Sequence, residues 1–233
     1  MLSRQDLSAG TLLVEGRLVE ASNATLFGKV TDGMGVSYPV VYKPIAGERA
    51  LWDFADGNLA SREYAAFLVS EYGGFHCVPS TVFRDGPFGL GVVQEWIEIE
   101  QDLDVIAIGQ QESLPIRNLA LFDVVINNSD RKFGHILPTS NSRILGCDHG
   151  LTFHKDFKLR TVLWQFAGRE LNQRELEQLG ELGLWIQDQG EALLKGLITM
   201  EEREALGKRV EALISDGFPY PSQGWPAVPW PPV

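Results

Sequence analysis

Asn128-Ser129-Asp130-Arg131-Lys132-Phe133-Gly134-His135-Ile136-Leu137 and Ile144-Leu145-Gly146-Cys147-Asp148-His149-Gly150 are two acidic turns separated by a short gap. An apolar stretch, residues 119–126, leads into the first turn, and the strand-like pairs Ile136-Leu137 and Ile144-Leu145 predict a hairpin. That hairpin carries Asp130 at its entry, His135 beside its first strand and Asp148 at its exit. Asp and Asn before Gly are ordinary turn formers whose side chains bond their own backbone. This accounts for each turn singly, but not for two carboxylates and an imidazole paired across one hairpin. Converging ligands of this kind predict a site for a metal ion and phosphate.

Upstream, residues 37–42 read as a strand that delivers Lys43, and Pro44 follows with its fixed φ. A lysine at a strand end is ordinarily just solvated. Residues 59–72, however, have helical spacing, with Ala60, Tyr64, Phe67 and Leu68 on one stripe and Glu63 on the same stripe. A carboxylate on a buried face requires a cation, because desolvating it alone is costly. Lys43 is the candidate partner; the alternative is that Glu63 reaches solvent.

Further strands at 17–20 and 26–30 complete a meander with 37–42, with Thr31-Asp32-Gly33-Met34-Gly35 as a hairpin loop. Residues 1–16 read as a leading segment with one helical turn. In the loop 21–25, Ser22, Asn23, Ala24 and Thr25 are small enough for backbone N–H groups to face an anion, or to make a plain turn. Strands at 80–83 and 89–93 follow around Arg84-Asp85-Gly86-Pro87. Five strands and one helix then make a first lobe, residues 1–97. The last strand passes through Gln94-Glu95-Trp96-Ile97 into the acidic run Glu98-Ile99-Glu100-Gln101-Asp102, a crossing beside which a cleft is expected.

The rest reads as helical, giving an α+β chain whose second lobe spans residues 98–216. Pro115 suits the first turn of a helix reaching about Ile126, and Asn172 with Glu175 and Thr199 with Glu202 have capping-box spacing. Leu206, Val210, Leu213 and Ile214 form the apolar stripe of the last helix. Residues 217–233, rich in Pro with Trp225 and Trp230, predict an extended tail that lies along the body or binds a partner.

A chain of 233 residues with 44% apolar content is long enough to bury a sizeable core. Its net charge of −11 argues against nucleic acid and against docking on an anionic leaflet, both of which attract basic patches. Cys77 and Cys147 have no metal-like spacing, and the N-terminal apolar run Thr11-Leu12-Leu13-Val14 is too short for a leader, so a reducing cytoplasm is expected. No stretch approaches a membrane span, so no stable membrane insertion is expected.

Lysine, glutamate, crossing strand and the two turns occur in an order that resembles the protein-kinase-like superfamily, and within it the phosphatidylinositol 3-/4-kinase branch. Asn128-Ser129-Asp130-Arg131 resembles the catalytic-loop start of type II phosphatidylinositol 4-kinases, and Asp148-His149-Gly150-Leu151-Thr152-Phe153 resembles their metal-binding turn. Arg62-Glu63-Tyr64-Ala65-Ala66-Phe67-Leu68 and Val78-Pro79-Ser80-Thr81 resemble the helix and following strand of that family's first lobe. The chain is also similar to small bacterial proteins labelled phosphatidylinositol-kinase-like.

The resemblance implies a two-lobed protein-kinase-like fold with a small antiparallel β lobe, and ATP with Mg²⁺ or Mn²⁺ as cofactors. It places Lys43 on the ATP phosphates, with Glu63 orienting Lys43. Asp130 orients or deprotonates the acceptor, Asp148 holds the metal, and the backbone of Gln94, Glu95 and Trp96 holds adenine. His135 stands where the family's second metal ligand is usually Asn, and Ser22 to Thr25 stand where its glycine-rich loop lies. Neutral imidazole as a ligand predicts a preference for Mn²⁺ over Mg²⁺. With an ordinary pKa of about 6.5, it also predicts metal affinity that falls between about pH 7.5 and 6.

The expected function is ATP-dependent phosphoryl transfer to a hydroxyl acceptor. A protein or small molecule is favoured over a lipid, since neither a palmitoylatable cysteine cluster nor a basic amphipathic helix is present. Lys155, Lys158, Arg160 and Arg169 form a local basic set that suits a phosphorylated substrate or is simply a solvated face. The alternative function is a nucleotide-binding pseudokinase scaffold without turnover, its partner grasping the Pro/Trp-rich tail.

Overall fold

The computed structural model describes residues 3–18, 23–49, 51, 53–54, 56–100 and 102–233. A short helix α1 (Arg4–Ala9) precedes the meander β1 (Thr11–Arg17), β2 (Leu26–Thr31) and β3 (Ser37–Pro44). Helix α2 (Leu59–Tyr72) then crosses back, and β4 (Thr81–Gly86) with β5 (Gly89–Glu95) completes a five-stranded antiparallel sheet in the order β1-β2-β3-β5-β4. The first strand therefore covers Thr11–Arg17, where residues 1–16 were expected to be a leading segment and a strand was expected only from Arg17 on. It is an edge strand with no fully buried position, and its exposure alternates only between exposed and partly buried, while the sequence Leu12-Leu13-Val14 runs apolar without alternation. The expected strand residues 19–20 lie outside the described residues.

Local chemistry explains the turns that place the site. Asp32 Oδ1 accepts the N–H groups of Met34 and Val36 and closes the β2–β3 hairpin. The N-terminus of α2 is doubly held: Asn58 accepts the Ser61 N–H, and the Glu48 carboxylate accepts those of Leu59 and Ala60 at 2.7 and 2.8 Å. Negative charge at that end also complements the helix dipole.

The helical part comprises α3 (Val105–Gly109), α4 (Leu114–Val125), the two-stranded hairpin β6 (Ile136–Pro138) with β7 (Ile144–Gly146), then α5 (Gln173–Gln187), α6 (Gln189–Leu194) and α7 (Met200–Asp216). Both capping boxes form, at Asn172 with Glu175 and at Thr199 with Glu202. Leu206, Val210 and Leu213 are buried along α7, whereas Ile214 is left 41% exposed at the margin of that stripe.

Two apolar cores result. A small one under the sheet holds Leu7, Val30, Val40, Tyr42, Val82 and Val93. The large one unites Ala65, Phe67 and Val69 of α2 with Leu119 and Phe122 of α4 and with Leu182 and Leu206 further on. Helix α2 thus joins the sheet to the helical part instead of belonging to the sheet alone. Arg62 pins it there: the fully buried guanidinium meets Glu202 at 2.7 Å and donates to the carbonyls of Thr152 and Asp56. Among the described residues, no helix is long and apolar enough to cross a membrane.

Candidate active site

Lys43 sits one residue from the end of β3, opposite Val92 of β5. The approach of the two strands depends on Gly91, since a Cβ there would lie 2.3 Å from the Lys43 carbonyl oxygen. The Lys43 ammonium makes a short hydrogen bond to Glu63 Oε1 and reaches Asp148 Oδ1 at 3.0 Å. It therefore ties β3 both to α2 and to the turn after the β6–β7 hairpin. Burial alone would lower the lysine pKa, but Asp148 and Glu63 more than reverse this and hold it above the usual lysine range. Burial pushes Glu63 up, opposed by Lys43 and by the backbone amide of His149.

Asp148 occupies the left-handed region at φ 59°, which Asp tolerates better than most residues. Its side chain is half exposed. Lys43 holds its carboxyl well below the usual carboxylate range, with help from His135. His135 ends a 3₁₀ turn, Phe133–His135, and brings Nε2 to 3.5 Å from Asp148 Oδ2. Burial pushes this imidazole down to about 4, the pull of Asp148 notwithstanding. It is neutral at pH 6, so the expected loss of metal affinity between pH 7.5 and 6 does not follow, and the window moves toward pH 4.

Asp130 lies in the loop before that turn, its own N–H donating to Asn128 Oδ1. Its carboxylate stands 3.7 Å from Lys132 Nζ and 3.7 Å from Arg160 Nη2. Burial raises its pKa above the usual carboxylate value, opposed chiefly by Lys132. A partly desolvated carboxylate near two cations is suited to taking a proton from a hydroxyl.

Behind this loop is a group that sequence reasoning missed. Arg131, fully buried, pairs with fully buried Asp123 of α4 and donates to the carbonyls of His135 and Cys147. Its Nη2 also meets His149 Nε2 at 2.7 Å. One guanidinium thus locks together both ends of the hairpin. The signal was present: Asp123 lies in the apolar stretch 119–126, and the reasoning that paired Glu63 with a cation applies to it equally.

The other expected nucleotide contacts are placed differently. Ser22 lies outside the described residues. The N–H of Ala24 donates to Gly47 O, that of Thr25 to Asn23 O, and Asn23 Oδ1 accepts the Arg49 N–H. Neither amide, of Ala24 or of Thr25, is therefore free for an anion. At the crossing, the N–H of Glu95 donates to Ser80 O and that of Trp96 to Pro39 O, while the Gln94 side chain turns inward to Thr81 Oγ1. Trp96 stacks edge-on against Phe27 at 5.3 Å and remains partly exposed, offering an apolar face where an adenine was expected.

His135 Nε2 and Asp148 Oδ2 give a divalent cation two donors. Among the described residues, no group of three or more His, Cys, Asp or Glu side chains forms a self-sufficient metal cage. This donor set fits a cation that takes its remaining ligands from phosphate oxygens and water. The cation and nucleotide would accordingly bind together.

No family model matches the sequence. The chain is, however, 36% identical to Protein Rv2133c of Mycobacterium tuberculosis, an alignment covering 97% of this chain and 93% of that protein. The chain belongs to the Rv2133c family. This Rv2133c-family fold matches hydra Fam20, in a structure with sugar, at a TM-score of 0.62, with 12% identity over 91% of this chain and 86% of that one. It matches Golgi casein kinase with Mn/ADP bound at 0.58, with 13% identity over 91% and 74%. At such identities the likeness is one of fold, and the fold of this Rv2133c relative is protein-kinase-like.

Proposed function

We propose that this protein is an ATP-dependent phosphotransferase acting on a hydroxyl acceptor, a protein or small molecule in preference to a lipid. The observation that carries the reading is Lys43, clamped between Glu63 and Asp148 at the hairpin's exit, with Asp130 at the hairpin's entry close enough for the Asp148 charge to act on it. Lys43 binds ATP phosphates and Glu63 keeps it aimed. Asp148 and His135 hold Mg²⁺ or Mn²⁺, which when bound neutralises phosphate charge. Asp130 positions the acceptor hydroxyl and takes its proton as the oxygen–phosphorus bond forms. The bond from the terminal phosphorus to the bridging oxygen breaks with its electron pair on ADP. The kinase-like fold shared with a structure binding Mn/ADP supports nucleotide and metal use.

The resemblance of the two turns to phosphatidylinositol kinases supports the phosphoryl chemistry more than the lipid. A net charge of −11 disfavours approach to an anionic leaflet. The second reading, a nucleotide-binding scaffold without turnover, draws on the amides of Ala24, Thr25, Glu95 and Trp96, which already donate to carbonyls within the protein. ADP formation from ATP with Mn²⁺, measured beside nucleotide-induced thermal stabilisation, separates the two. Stabilisation with sustained ADP formation supports the enzyme; stabilisation without ADP supports the scaffold.

A further inference from the structure

Residues 217–233 carry neither helix nor strand, yet they are tied to the protein at points that surround Asp130. On one side of Asp130, the Phe133 N–H donates to Pro232 O at 2.9 Å, which seats the chain end beside the 3₁₀ turn leading to His135. On the other side, the Thr161 N–H and Trp164 Nε1 both donate to Ala227 O, at 3.0 and 2.7 Å. Trp225 Nε1 donates in turn to Lys158 O at 3.2 Å. Phe133 and Thr161 are buried with the tail in place, and their amides are satisfied by its carbonyls.

Trp225 adds a side-chain link to the same place. Its ring faces Lys158 Nζ at 5.3 Å and the Arg160 guanidinium at 5.9 Å, distances at which a cation is attracted to an indole. Arg160 then passes the constraint on: its Nε donates to Ser129 O at 2.7 Å, and Nη2 stands 3.7 Å from Asp130 Oδ1. The backbone of Arg160 also bridges the loop, donating to Asn128 O and accepting from Arg131 N–H. The basic residues 158 and 160 are therefore packed between tail and loop.

We infer that the C-terminal segment is a cis-acting strap for the acceptor side of the active site, in which Trp225 is a positioning residue acting through Arg160 on Asp130. The inference rests on the phosphotransferase reading for its kinetic consequence and on the contacts alone for its structural one. The strap touches the Asp130 loop and 158–164, while Lys43, Glu63 and Asp148 are held by the sheet, α2 and the second turn. Loss of the strap should thus affect transfer and spare nucleotide binding.

Trp225→Ala is compared with Trp225→Phe, which keeps a ring face but not the indole N–H, and with Trp230→Ala, whose side chain is 88% exposed. In Mn²⁺ and ATP, Trp225→Ala should lower kcat by roughly 10-fold to 10²-fold, the range for a displaced catalytic group, with the KM for ATP unchanged. Trp225→Phe should recover most of that loss and Trp230→Ala should match wild type. A merely structural tail would move both constants together and would not be rescued by a ring. Amide exchange of the full chain gives the second reading: peptides covering 128–135 and 158–164 should lose protection in Trp225→Ala and keep it in Trp230→Ala. Wild-type turnover with an unchanged kcat in Trp225→Ala overturns the positioning role. Unchanged protection in Trp225→Ala overturns the strap even if the wild type proves to have no turnover, a result that counts against the phosphotransferase reading alone.

Discussion

Asp130 and Asp148 are both hairpin carboxylates, but their surroundings push them in opposite directions. Burial raises Asp130, whereas Lys43 holds Asp148 far down. The first suits proton transfer and the second suits a permanent anion. Asp130→Asn should leave ATP affinity nearly unchanged and cut turnover by about 10²–10⁴, as removal of a positioned acid–base group does; loss of ATP binding in equilibrium titration would instead make Asp130 a phosphate-site or metal residue. His135→Asn should shift the metal preference from Mn²⁺ toward Mg²⁺, because an oxygen donor replaces imidazole nitrogen. Burial holds the imidazole down to about 4, so wild-type metal affinity should stay flat from pH 7.5 to 5.5 and weaken only toward pH 4. Competition between the two metals at each pH checks both statements. At this scale Lys43 and Glu63 were legible, since an acid on an apolar stripe demands a cation. The depressed imidazole was not, because burial by distant chain segments leaves no mark in a five-residue turn.

Between residues and fold, the hairpin depends on one buried ion pair. Removing one partner of such a pair leaves an uncompensated buried charge, so Asp123→Ala should cost about 3–5 kcal/mol. Asn172→Ala, which removes only the α5 cap, should cost about 1 kcal/mol. Denaturant midpoints at constant slope rank the two, and a cost for Asp123→Ala as small as for the cap would deny the pair its structural role. The α5 and α7 caps were readable because a capping box is local in sequence. Strand β1 was missed because Leu12, Leu13 and Val14 run together in sequence although Leu13 is exposed, so the alternating exposure of this edge strand leaves no alternation of residue type to read. Asp123–Arg131 was overlooked although its signal was local, for the acid lies in an apolar run and the arginine follows Asp130 directly. The committed amides at Ala24, Thr25, Glu95 and Trp96 could not be foreseen, since their acceptors at Gly47, Ser80 and Pro39 are set by tertiary pairing.

Across the whole molecule, the sheet and the helical part meet through α2, Arg62 and the Lys43–Asp148 bridge. The α+β, kinase-like architecture followed from the order of the motifs, and a tail without helix or strand agrees with its proline content. That the tail lies on the 128–135 and 158–164 segments required the structure. A ligand that engages Lys43 and Asp148 together should stabilise the fold as a unit: Mn²⁺ with ATP at a hundredfold excess over Kd should add about 2.7 kcal/mol. The central claim, that this arrangement transfers phosphoryl groups, is tested most directly by single-turnover reaction of γ-labelled ATP with excess wild-type protein and Mn²⁺, with Asp148→Ala alongside. Label leaving ATP in the wild type at a rate that Asp148→Ala abolishes is the predicted result; label remaining on ATP in both, with nucleotide demonstrably bound to the wild type, would contradict it.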